Sequence, residues 1–125
     1  MSYSIQIDHN NKLIHYRHSG NITAIDIGVA WQEFLLLDEF TQKKYNLFSD
    51  YREARFLMHD KDISAICDFL LNLKDILYQK KQAIVISEPL STAISILFTG
   101  EVIDRVGFDV KVFSTECAAF GWLTQ

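Results

Sequence analysis

Gln82-Ala83-Ile84-Val85-Ile86-Ser87, then Pro89 to Val106, then Asp109-Val110-Lys111-Val112-Phe113, then Ser114 to Leu123: this run decides the fold. It reads strand, helix, strand, helix. Strands that alternate with helices pair in parallel, because the chain must cross over to begin each strand from the same end. The expected class is therefore α/β. Pro89 suits a first helical turn, where its missing donor costs nothing. Gly107 stands where helices stop.

Working back toward the amino terminus, Asp60-Lys61-Asp62 places acids where a helix begins. Ile63, Ile66, Cys67, Leu70, Leu73 and Leu77 then make one stripe at helical spacing. Tyr45 to Asp50 is a short apolar run bounded by charge, as a buried central strand is. Tyr51 to Lys61 is expected to be irregular, and Asp38 to Lys44 a polar loop holding Phe40. Thr23 reads as an N-cap with Asp26 as its reciprocal acid, opening a helix from Ala24 to Leu37. Tyr3, Ile5 and Ile7 alternate with Ser4, Gln6 and Asp8, which predicts a half-buried strand. His9-Asn10-Asn11 turns the chain, and a second strand runs from Lys12 to His18, ended by Gly20-Asn21. The whole is a mixed β-sheet: an antiparallel hairpin, then parallel βαβαβα, with four helices.

Residues 1–125 form one domain on this reading, with a hydrophobic fraction of 49% that suits one ordinary core. The net charge of -4 argues against a nucleic-acid partner, whose phosphates demand a basic face. No apolar run approaches the ~20 residues that span a bilayer, and the amino terminus lacks the charge and apolar block of a signal peptide. A cytoplasmic location is expected. Cys67 and Cys117 read as reduced core thiols.

Three segments carry a family likeness. They are Tyr45-Asn46-Leu47-Phe48-Ser49-Asp50-Tyr51-Arg52-Glu53-Ala54, Ser91-Thr92-Ala93-Ile94-Ser95-Ile96-Leu97-Phe98, and Lys111 to Leu123 with its closing Trp122-Leu123. In order and length the chain resembles the bacterial SpoIIAA-like (STAS-like) family, related in fold to anti-sigma-factor antagonists and to lipid-carrying CRAL-TRIO domains. The resemblance implies a regulatory or protein-interaction module in bacterial signalling, without a cofactor. Anti-sigma-factor antagonists switch through a serine that follows an aspartate at the end of the central strand. Here Tyr51 follows Asp50.

Ligands of open α/β sheets favour the crevice beyond the carboxyl ends of parallel strands. The residues expected there are Asp50, Tyr51, Arg52, Glu53, Ser87, Glu88, Ser114 and Thr115, which serve either a small polar ligand or simple capping. His15 and His18 lie an odd number of residues apart on one strand and face opposite sides. With His9 in a turn and His59 in a loop, no set has metal spacing. No Gly-rich phosphate loop or nucleophile elbow is present. Ser87, Ser91, Thr92 and Ser95 are candidates for phosphorylation or for capping.

The first helix is apolar on two sides. Ile25, Val29 and Leu36 lie on one side, which can face the sheet, and Ile27, Trp31 and Phe34 lie nearly opposite. With Phe69 and Ile76 of the next helix, the second set reads in three ways: groups covered by neighbouring helices, a homodimer or partner surface, or the wall of an apolar pocket. The expected function is a non-catalytic interaction module. A binder of an apolar or amphipathic small ligand comes second, and an enzyme using Asp50 and Arg52 third.

Overall fold

The computed structural model describes residues 2–125. β1 (Ser2–Asp8) and β2 (Leu13–Ile22) form the antiparallel hairpin, with Ile5 opposite Tyr16 and Asp8 opposite Leu13. The Asp8 carboxylate closes the turn by accepting from the Asn11 backbone at 3.1 Å and from Asn11 Nδ2 at 2.8 Å. Lys12, rather than one of the asparagines, takes the left-handed backbone, at φ 56°.

The remaining elements are α1 (Ala24–Phe34), α2 (Asp38–Thr41), β3 (Asn46–Asp50), β4 (Ala54–Phe56), α3 (Asp60–Leu71) and α4 (Lys74–Leu77). They continue with β5 (Lys81–Val85), α5 (Pro89–Val106), β6 (Asp109–Phe113) and α6 (Glu116–Leu123). The sheet order is β1-β2-β3-β5-β6, with β4 beside β2 beyond the end of β3. Every pairing except the hairpin is parallel. The alternation read from residues 82 to 123 is thus present, and β3, β5 and β6 end along one rim, where Asp50, Val85 and Phe113 stand in register.

Four expectations about the elements are corrected. There are six helices among the described residues, not four. The two additional ones are single turns, each seating one fully buried anchor, Phe40 or Leu77. A single turn is too short to show a 3.6-residue period in sequence. The first helix stops at Phe34, three residues short of Leu37. Gly20-Asn21 does not end β2, because Gly20 adopts φ 87° and the strand continues to Ile22. The segment expected to be irregular contains β4, which continues the pairing that β3 began along β2. Between these two pairings the chain spends Tyr51, Arg52 and Glu53 opposite only His18 and Ser19. One surplus residue is the signature of a bulge, which bends a strand and re-aims its side chains.

α1, α3 and α5 cover one face of the sheet and α6 covers part of the other. Of the two apolar sides of α1, the one carrying Trp31 turns inward and the one that could have faced the sheet turns to solvent. Ile27, Trp31 and Phe34 are buried, while Ile25 and Leu36 are 79% and 84% exposed. The aromatic set wins because it has aromatic partners: Trp31 packs edge-on against Phe34, Phe40 and Phe108 at centroid distances of 5.4, 5.5 and 6.2 Å. Ile25, Val29 and Leu36 have no such counterparts.

Candidate functional site

The bulge sets the polar rim. Asp50, last in β3, points to the α6 side of the sheet. Its carboxylate accepts from Arg52 Nε at 3.0 Å, Arg52 Nη2 at 2.8 Å and the Arg52 backbone at 3.1 Å. Arg17, beside Asp50 in the register, donates at 3.3 Å. Arg52 also reaches Glu116 at 3.7 Å. This is a fork-shaped, charge-assisted pair on a carboxylate only 9% exposed. Burial acts to raise the Asp50 pKa, but the hydrogen bonds from Arg52 and Arg17 outweigh it and hold the carboxyl below its ordinary value. Its contribution to stability is therefore present above pH ~4 and disappears as pH falls through the folded-state pKa. Asp50→Asn is expected to flatten that part of an acid-unfolding curve followed by circular dichroism.

The other rim candidates disperse. Ser87 Oγ donates to the Arg52 carbonyl at 3.4 Å. Ser114 is exposed. Glu88 caps α5, accepting from the backbone of Leu90 and Ser91 at 3.3 and 2.7 Å. Thr115 caps α6. Tyr51 leaves the rim: it is 4% exposed and turns to the opposite face, edge-on to Tyr16 and Phe56. Of the phosphorylation candidates, Ser91 and Ser95 are buried. Ser91 Oγ accepts from the Phe56 backbone at 2.9 Å and so ties β4 to α5. Cys67 is buried as expected, but Cys117 is exposed on α6. Among the described residues no cluster of His, Cys, Asp or Glu is placed to hold a metal ion.

The helix-covered face holds the second candidate. A cavity of about 50 Å³ lies between α1, α3, α5 and the sheet. Trp31, Tyr51, Ile66, Ile84, Phe98 and Gln82 are among its walls, and no wall residue carries a charge. Phe56, Met58 and Ile94 belong both to the cavity and to a broad surface groove of about 900 Å³. That groove runs between the β4–α3 connection and α5, and Leu57, Leu90 and Leu97 line it at 50%, 62% and 59% exposure. Of the apolar candidates, Ile27 and Trp31 line the cavity, Phe34 is core, and Phe69 and Ile76 are half-buried outside the cavity wall.

A line of buried polar groups runs into this cavity, and the sequence reading missed it. The Tyr16 hydroxyl hydrogen bonds to His18 Nδ1. The Tyr51 ring stands edge-on to Tyr16, with 5.7 Å between centroids. Gln82 Nε2 donates to Ser49 Oγ at 2.9 Å. All five residues are at most 7% exposed. His18 Nε2 at one end and Gln82 Oε1 at the other are buried without a hydrogen-bond partner. Burial pushes the His18 pKa down and the Tyr16 and Tyr51 pKa values up, so the line is neutral throughout. The available signal was alternation. Tyr16 and His18 share the inward face of β2, and Ser49 and Gln82 face inward from neighbouring strands.

Among the described residues no helix is long and apolar enough to cross a membrane. No family model and no curated protein matches the sequence. Among solved structures the chain is similar to the crystal structure of an uncharacterised protein of the DUF3478 family from Shewanella loihica PV-4. The likeness has 15% identity and a TM-score of 0.60, and covers 98% of this chain and 92% of that one. That structure is described as having a SpoIIAA-like fold. The six-stranded sheet, the hairpin at its edge and the helices on both faces therefore constitute a SpoIIAA-like fold, as the sequence resemblance implied.

Proposed function

We propose that this STAS-like module is non-catalytic and binds a small apolar or amphipathic ligand between α3, α5 and the sheet. The observation that carries the reading is the continuity of the uncharged cavity, through Phe56, Met58 and Ile94, with a groove that is apolar except for His59, Asp60 and Lys61 at the start of α3. Exposed Leu57, Leu90 and Leu97 around one opening are what a binding mouth requires and what a closed core avoids. The non-catalytic part is supported by Asp50, whose two carboxylate oxygens are both engaged by arginines.

Trp31 lines the cavity and Trp122 lies on α6, across the sheet. In a Trp122→Phe variant, 1-bromohexane is expected to quench Trp31 fluorescence saturably, because bromine quenches an indole it touches. In a Trp31→Phe variant, quenching of Trp122 is expected to be linear and weak. Equal, unsaturable quenching in both would overturn the reading.

A second reading, a surface for a protein partner or a second copy, has one observation in its favour. Leu90, Ile96 and Leu97 are all exposed on α5. It differs from the sequence expectation, because Trp31 and Phe34 are covered within the subunit. Sedimentation of the wild type against Ile96→Glu, Leu97→Glu tests it: a concentration-dependent shift abolished by the pair supports self-association.

A further inference from the structure

The chemistry of the ligand follows from which atoms face the cavity, taking the ligand-binding reading above as its basis. Gln82 gives one amide N–H to Ser49 Oγ, while its Oε1 is buried and unpartnered in a residue 3% exposed. Ser95, the other polar wall, donates its hydroxyl proton to the Ser91 carbonyl at 2.9 Å. It offers lone pairs inward. We infer that the cavity takes a ligand whose buried end is a neutral hydrogen-bond donor, an alcohol, phenol or primary amide, received by Gln82 Oε1 and carried on an apolar body that extends into the groove.

The bond from Gln82 Nε2 to Ser49 Oγ turns the amide so that its oxygen is the atom without a partner. An anionic head is disfavoured for a separate reason: no wall residue is positive, and a buried carboxylate or phosphate without a countercharge is costly. Size matters as well. About 50 Å³ admits a small head and a few carbons, while the groove of about 900 Å³ accepts the remainder.

The experiment compares 1-heptanol, heptanamide and heptanoate on the wild type at pH 7.5 by calorimetry, with 1-bromohexane as the donor-free probe. Heptanol and heptanamide are expected to bind at least about tenfold more tightly than heptanoate. Gln82→Leu is expected to weaken heptanol about tenfold and to leave bromohexane unchanged. If bromohexane binds but the alcohol and the carboxylate bind equally, or the carboxylate binds better, the donor inference falls while the ligand reading stands. If no probe binds, the ligand reading itself falls. The wild-type comparison decides the matter even if Gln82→Leu does not fold.

Discussion

Replacing Phe34 by alanine is expected to cost about 3–5 kcal/mol of folding stability, the usual toll for emptying an aromatic site in a well-packed core. Phe34 is 1% exposed. It stands edge-on to Tyr16 at 5.2 Å and to Trp31 at 5.4 Å, and 5.8 Å from Phe40. These rings come from β2, α1 and α2, so the cavity left behind would border three elements. None can collapse into it without disturbing the others. A loss of this size is a large part of the ~5–15 kcal/mol that holds a small domain folded. Urea unfolding at two protein concentrations gives the decisive measurement. A core residue lowers the midpoint equally at both concentrations. An interface anchor, the alternative role the sequence allowed, lowers it in a concentration-dependent way.

The second large effect concerns Lys80, which precedes β5 and is 2% exposed. Its ammonium donates to the carbonyls of Phe40 at 2.7 Å and Tyr45 at 3.0 Å, and lies 4.3 Å from the Phe40 ring centre. Among the described residues no carboxylate faces it. Burial, helped by the nearby Lys44, lowers its pKa from 10.5 to about 8. The folded protein thus holds this proton less tightly than the unfolded chain. Below pH 8 both states carry the charge and the folded state bears its full penalty. Between pH 8 and 10.5 the unfolded chain binds more protons, so stability rises with pH by up to about 3 kcal/mol from this group. Cys67, pushed up by burial to about 12 from 9.0, has the opposite slope above pH 9. Tyr16 and Tyr51 add to that opposite slope above pH 10. The difference between wild type and Lys80→Met removes these shared contributions. It is expected to rise in favour of the wild type from pH 8 to pH 10.5. A flat difference would mean that the ammonium is solvated.

Lys80 also illustrates what a sequence conceals. Among Gln79, Lys80 and Lys81 it reads as a charge at a helix end, and nothing local says that two carbonyls from distant segments will meet it. The parallel core was legible because Gln82–Ser87 and Asp109–Phe113 are apolar runs separated by a helix long enough to cross over. The capping box at Thr23 and Asp26 was legible because it is a contact between residues three apart. The face of α1 was not. Both of its sides are apolar, and the choice between them is made by Phe40 and Phe108, residues remote in sequence. The Asp50–Arg52 pair was legible as chemistry, but Arg17 came to it only through strand register. The buried line from His18 to Gln82 crosses three strands, so each member looked like an isolated polar residue.

The bond from the Phe56 backbone to Ser91 Oγ joins the two walls of the cavity mouth, the β4 side and the α5 side. In Ser91→Ala the Phe56 backbone N–H would be buried with nothing to receive it, so the short strand would lose its tether to the helix. Deuterium uptake at Phe56 and its neighbours is expected to quicken in that variant while uptake in the central strands keeps its pace.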